Sequence, residues 1–277
     1  ICRPAKILEG RDALADEFAA ARWTHHRLLD FEDQHQHLLD EVAEQCAPAI
    51  RRVARLIAIL ARRQRRAERT SPGTWAPRPR PELLATLRAR LAALRAQRDA
   101  DPRWREALLW ADGVDPDAPD RGKPRRKAGE TDEEFAPRCA TRRTKLTRRE
   151  AYRAALYAER RVYWGTWNAL LASVETARKA VLKQRKAGVP AQWRRPRWDD
   201  PCTIAADAGG FRIVERGKPW WVVEMRLLEG WVRFRAKLGN WHALPEGAKL
   251  KTYQLTRRKN GRGWEYSVSI AVDGMPD

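Results

Sequence analysis

The stretch Trp264-Glu265-Tyr266-Ser267-Val268-Ser269-Ile270-Ala271-Val272 decides how this chain is read. Its large apolar residues fall at every second position, which is the period of an antiparallel strand with one face buried. Just before it lies Asn260-Gly261, a pair that supplies the positive φ of a tight hairpin. The segment Leu250–Thr256 is therefore its antiparallel partner. Val232, Phe234 and Ala236 alternate likewise, and Thr203–Asp207, Phe211–Glu215 and Trp220–Leu227 read as further short strands. Such a set predicts a small antiparallel barrel, and an oligonucleotide-binding (OB-like) barrel fits the charge described below.

Upstream of about Gly188 the period changes to three and four. From Asp12, a candidate N-cap, Leu14, Phe18, Leu28, Leu38, Val42 and Cys46 recur as one long amphipathic helix requires. Pro48 suits the first turn of a second helix carrying Ile50, Val53, Ile57 and Leu60. Arg62, Arg63, Arg65, Arg66 and Arg69 crowd its end, as a phosphate-facing tip would. The proline-rich run Thr70–Pro81 reads as a connector. Beyond it Leu84, Leu87, Leu91 and Leu94 mark a third helix, expected to zip with the second into a coiled-coil-like hairpin. Pro116, Pro119, Pro124 and Pro137 make residues 112–144 a flexible insert. Thr147-Arg148-Arg149-Glu150 then forms a capping box. It opens a helix with Leu156, Tyr163, Trp167, Leu170, Val174 and Val181 on one face, stopped by Gly188 and Pro190. The fold class is α+β, long helices followed by a small sheet.

The 277 residues hold 56 Lys+Arg against 36 Asp+Glu, a net charge of +20. That excess points to a polyanion, and nucleic acid is the first candidate. There is no run of 18 apolar residues, so no transmembrane helix is expected. Ile1-Cys2-Arg3-Pro4 lacks the pattern of a secretory leader. Four scattered cysteines fit reduced thiols in a cytoplasm better than a disulfide framework. Enzyme signals are poor: no HExxH, CxxC pair, Walker loop, GxGxxG or nucleophile elbow occurs. His25, His26, His35 and His37 read as polar surface rather than metal ligands, and no catalytic residue is assigned.

Two segments carry the candidate binding residues. The first is Arg138, Arg142, Arg143, Lys145, Arg148, Arg149 and Arg153. The second is Lys183, Arg185, Lys186, Arg194, Arg195 and Arg197, interleaved with Trp193 and Trp198 and approached by Arg178 and Lys179. Guanidinium forks match phosphate oxygens and indoles stack on bases. The competing reading is a solvated charged surface. Within Tyr163-Trp164-Gly165-Thr166-Trp167-Asn168, Tyr163 and Trp167 lie on the apolar stripe while Trp164 and Asn168 lie one turn apart on an adjoining face. Asn168 could read a base edge, and Gly165 marks a close approach, either of backbone or of nucleic acid.

Three runs carry a family resemblance: Gly230-Trp231-Val232-Arg233-Phe234-Arg235, Leu244-Pro245-Glu246-Gly247-Ala248-Lys249-Leu250 and Gly263-Trp264-Glu265-Tyr266-Ser267-Val268. They resemble the barrel that precedes the RuvC nuclease in TnpB and type V CRISPR effectors. Val162–Leu170 and Gln192-Trp193-Arg194-Arg195-Pro196-Arg197-Trp198-Asp199 look most like the compact V-M effectors (Cas-twelve-m). The resemblance implies a first wedge strand over 1–9, a helical recognition (REC) lobe over 10–187 and a wedge (WED) barrel over 188–277. A RuvC-like domain, inactive or DNA-cleaving, is expected after 277, with any Mg or Zn held there. It further implies a guide crRNA as the bound cofactor and double-stranded DNA with its flanking motif (PAM) as target, in a monomeric bacterial cytoplasmic ribonucleoprotein that silences by binding. Asn168 would face the motif-proximal nucleic acid, and Arg194, Arg195 and Arg197 would hold phosphates. An RNA-guided endonuclease of the TnpB kind and a generic RNA-binding protein are the alternatives.

Overall fold

The computed structural model describes residues 2–69, 80–120, 126, 129–140, 145–186, 191–217, 219–237, 249–261 and 263–273. Residues 70–79 of the connector, Gly188 and Pro190, Leu244–Ala248, Arg142 and Arg143 lie outside them. The described residues form seven α-helices and a seven-stranded antiparallel sheet. They fall into two compact units, one of residues 1–30, 155–179 and 193–277, the other of residues 31–154 and 180–192. Helix α1 (Arg11–Cys46), α6 (Arg148–Ala158) and α7 (Trp164–Lys186) each contribute residues to both.

In the first unit the strands are β1 (Cys2–Glu9), β2 (Cys202–Asp207), β3 (Phe211–Arg216), β4 (Trp221–Leu227), β5 (Gly230–Ala236), β6 (Lys249–Asn260) and β7 (Gly263–Asp273). Their spatial order is β2-β6-β7-β1-β5-β4-β3, so the first strand of the chain sits at the centre. The alternation read from β7 holds. Val268 and Ile270 are buried and lie opposite Leu255 and Tyr253 in the β6–β7 ladder. Asn260 pairs with Gly263 across the turn, where Gly261 has φ 47°. The same face continues through Phe234, Val223 and Met225, all fully buried, and Phe211 stacks on Tyr253 at 3.6 Å. From α1, Leu14 and Phe18 enter this core, Phe18 meeting Tyr266 with ring centroids 6.3 Å apart.

The sheet is open, which corrects the expectation of a closed barrel: among the described residues β2 and β3 are edges with no ladder between them. The reason is local. Midway along β2 the outward edge is capped by α7, since Ala205 N donates to Thr166 Oγ1 at 3.2 Å and that hydroxyl donates to Ala205 O at 3.3 Å. A covered edge needs no further strand. Gly165 permits the approach. A Cβ there would lie 2.5 Å from Ala205 O and 2.7 Å from the Ala206 Cα.

The single helix expected from Thr147 to Gly188 is instead two, α6 and α7, broken at Arg160 with φ 48°. The capping box that opens α6 is present, with Thr147 N donating to Glu150 Oε2 at 2.9 Å and Glu150 N to Thr147 Oγ1 at 3.2 Å. The break is imposed from elsewhere in the chain. Glu17, 3% exposed, accepts from Tyr163 N at 2.8 Å at the start of α7 and from Leu228 N at 3.1 Å after β4. Burial raises its carboxyl pKa, an effect larger than the opposing one of these two amides.

In the second unit α2 (Ala49–Arg69) and α3 (Pro81–Ala100) lie against one another, with Val53, Leu84 and Leu91 buried. The later part of α1 meets α4 (Pro102–Leu109) in a cluster of Leu39, Cys46, Trp104 and Ala107, with Leu38 and Val42 against it. The insert is not uniformly a loop. It holds α5 (Asp132–Ala140), opened by a capping box in which Thr131 N donates to Glu134 Oε2 and Glu134 N to Thr131 Oγ1. Bridges Val114↔Thr147 and Asp120↔Lys145 tie its two ends together. None of the described helices is long and apolar enough to cross a membrane.

Candidate nucleic-acid interface

In the first unit the segment Trp193–Asp200 is a strap without secondary structure, fixed to α1. Arg22, His26 and Asp30 are four residues apart and so share one helix face. Arg22 donates to Arg197 O and, at 2.9 Å, to Asp200 O. His26 Nε2 donates to Pro196 O at 2.8 Å, and Asp30 pairs with Arg195 at 2.7 Å. Asp200 closes the strap on itself, accepting from Arg197 N at 2.8 Å and from Arg194 Nη2 at 3.2 Å. The Arg197 amide, reinforced by the Arg194 charge, holds the Asp200 carboxyl below the ordinary range despite some opposing burial. The backbone is thereby pinned while the Arg194 side chain remains 85% exposed and Arg197 faces solvent.

Trp198, on the same strap, is 65% exposed. Its ring meets Trp264 edge to face, with centroids 6.1 Å apart at 84°. Lys259 Nζ lies 5.3 Å from the Trp198 centroid and 5.2 Å from that of Trp264. Arg257 lies over Trp264 at 4.5 Å and over Phe18 at 4.6 Å. The β6–β7 register creates this group, because Lys259 pairs across with Trp264 and Arg257 with Tyr266. Arg257, Lys259 and Trp264 lie outside the two basic segments that the sequence offers as binding residues. The signal available was the basic run Arg257-Arg258-Lys259 beside Asn260-Gly261, with an indole following the turn.

The other candidates divide. Trp164 is 48% exposed, with Tyr157 at its edge 5.3 Å away, and Asn168 is exposed one turn on. Gly165 and Thr166 between them face β2, so the close approach that Gly165 marks is to the protein's own backbone. Trp193 is half-buried, its indole N–H closed from solvent. Arg178 is held by Glu175 at 2.6 Å, whereas Lys179 is exposed.

In the second unit Lys183 is exposed. Arg185 is engaged by Asp40 at 3.2 Å and by Ala191 O at 3.0 Å, and nothing is described of the Lys186 side chain. Lys145 donates to Pro116 O, and Arg148 to Trp110 O at 3.0 Å. Arg149 leaves the candidate set: it is 6% exposed and its fork is taken by Glu32 at 2.9 and 3.3 Å and by Asp112. A guanidinium that is buried and already matched to carboxylates is closed to a phosphate. At the end of α2, Arg62, Arg65, Arg66 and Arg69 lie together along one face of the helix. Among the described residues no cluster of His, Cys, Asp or Glu is placed to hold a metal ion. No family model matches the sequence, and no curated protein matches it.

Proposed function

We propose that this chain is the recognition-lobe and wedge portion of a guide-RNA-dependent DNA-binding effector, one that silences its target by holding it. The observation that carries the nucleic-acid part is the strap: Arg194, Arg197 and Trp198 turn outward from a backbone that α1 holds rigid. Guanidiniums carried on a fixed backbone lose only side-chain freedom on meeting phosphate, and a neighbouring indole adds a stacking surface. The guide-dependent part is supported by the resemblance of Gly230–Arg235, Gly263–Val268 and Gln192–Asp199 to the V-M effectors, with β1 taking the place of the first wedge strand. In this reading the seven-stranded sheet is the OB-like wedge, the exposed Asn168 lies toward the motif-proximal duplex, and base pairing rather than protein side chains selects the target.

Sequencing the nucleic acid that copurifies with the protein tests the reading. A discrete CRISPR-type RNA supports it, and mixed cellular RNA overturns the guide-dependent part in favour of a generic RNA-binding protein. Arg195 is paired with Asp30 and Arg194 with Asp200, so the triple variant Arg194→Ala, Arg195→Ala, Arg197→Ala should lose at least the Arg197 phosphate contact. At about 0.7–0.9 per contact, the slope of log affinity against log salt should fall by at least that amount. An unchanged slope means that the strap does not touch the backbone of the nucleic acid.

A further inference from the structure

Of the surfaces on this molecule, the one around Trp198 has the most definite chemistry. We propose that Trp198, supported by Trp264 and Lys259, is a stacking platform for one unpaired nucleobase of a single-stranded segment, with Arg197 and Arg194 on the adjoining phosphates. The proposal rests on the nucleic-acid reading above and narrows it, since a cradle for a duplex needs no open ring.

Three features carry it. First, the indole is presented rather than merely loose. The residues before it are pinned through Pro196 O and Arg197 O, and Asp200 two residues later is pinned through its own carbonyl. Yet the ring keeps 65% of its surface in solvent. Second, its neighbours leave room for a base. Trp264 meets it edge to face at 84°, and Lys259 lies over it at 5.3 Å. With an edge-to-face ring and a single ammonium beside it, the indole still keeps most of its surface open. Third, the charge is suited to the backbone that a stacked base brings with it. Lys259 is shared between two indoles and has no carboxylate among its described partners, and the Arg194 side chain is 85% exposed. Bases inside a duplex are stacked on one another and offer edges only, so an exposed indole selects unpaired bases, and does so without regard to sequence.

The test uses the whole chain and two fluorescent probes of the same sequence, a short single-stranded RNA with one 2-aminopurine and its duplex. Trp198→Ala should weaken single-strand binding by roughly 5- to 140-fold, the range expected for one base stack, while duplex binding changes less than about twofold. The wild type should quench the 2-aminopurine on binding and Trp198→Ala should not, with Trp198→Phe restoring much of both. Thermal melting of the variants should match the wild type, because the ring is mostly solvated. Equal losses on single strand and duplex, or undiminished single-strand binding and quenching in Trp198→Ala, overturn the proposal while leaving the strap reading intact. A wild-type protein that binds neither probe overturns both.

Discussion

Replacing Gly165 by Ala should destabilise the protein, contrary to the rule for glycines in helices. Ordinarily Gly→Ala in a helix gains up to about 1 kcal/mol. Here the added Cβ would lie 2.5 Å from Ala205 O, 2.7 Å from the Ala206 Cα and 3.0 Å from the Ala205 carbonyl carbon. These are backbone atoms of β2, held in ladder with β6, and cannot swing aside as a side-chain tip could. The start of α7 must therefore retreat by roughly half an ångström or more, an overpacking cost of about 1–3 kcal/mol. The retreat also stretches the two Thr166–Ala205 hydrogen bonds, already at 3.2 and 3.3 Å, each contributing about 0.5–1.5 kcal/mol. Set against the propensity gain, the net loss is about 2 kcal/mol. That corresponds to a Tm lower by ~4–8 °C at this chain length. Thermal unfolding followed by circular dichroism reads it directly. Thr166→Val, which keeps the shape but leaves Ala205 N–H and C=O without a partner, should cost a similar amount. The double variant should lose less than the sum, because both act on one contact. A Gly165→Ala protein as stable as the wild type, or more so, would refute the claim that α7 is pressed against the edge of β2.

Two further outcomes follow from buried charges. Arg149→Ala should cost about 3–5 kcal/mol by leaving the 3%-exposed Glu32 side chain with only Arg153, 3.9 Å away, and Arg149→Lys should recover only part of it because the fork is lost. Denaturant midpoints check this, and a near-neutral Arg149→Ala would return that residue to the binding set. Glu17 acts through pH. Burial raises its folded-state pKa above the unfolded value of about 4.3, so its contribution is full below that pH and is lost as pH rises through the raised value. Glu17→Gln should remove that part of the decline in unfolding free energy as pH rises above about 4.3. Identical pH profiles for variant and wild type would show that Glu17 is not titrating in this range.

Local patterns made much of this protein legible. The alternation of Trp264–Val272 and the Asn260-Gly261 turn identify the β6–β7 hairpin, because the period of side chains along a strand is a property of the backbone alone. The capping box Thr147/Glu150 is likewise a matter of three residues' spacing, and so is the one at Thr131/Glu134, which the prolines of the insert concealed. Charge and composition alone pointed to a polyanion, and Arg194, Arg197 and Trp198 were recognisable as candidates from their residue types.

Which of those charges are spent internally was decided only in three dimensions. Arg149 and Glu32 are 117 residues apart in sequence, and Arg22 and Asp200 are 178 apart. No spacing rule spans such distances, since loop closure and packing, not helix or strand periodicity, bring the partners together. The break between α6 and α7 follows the same logic: every residue from Thr147 to Lys186 is compatible with one helix, and the buried carboxylate of Glu17 selects two. The ladder register, finally, seats Lys259 across from Trp264 and so beside Trp198, a grouping that exists only once two strands and a strap have met.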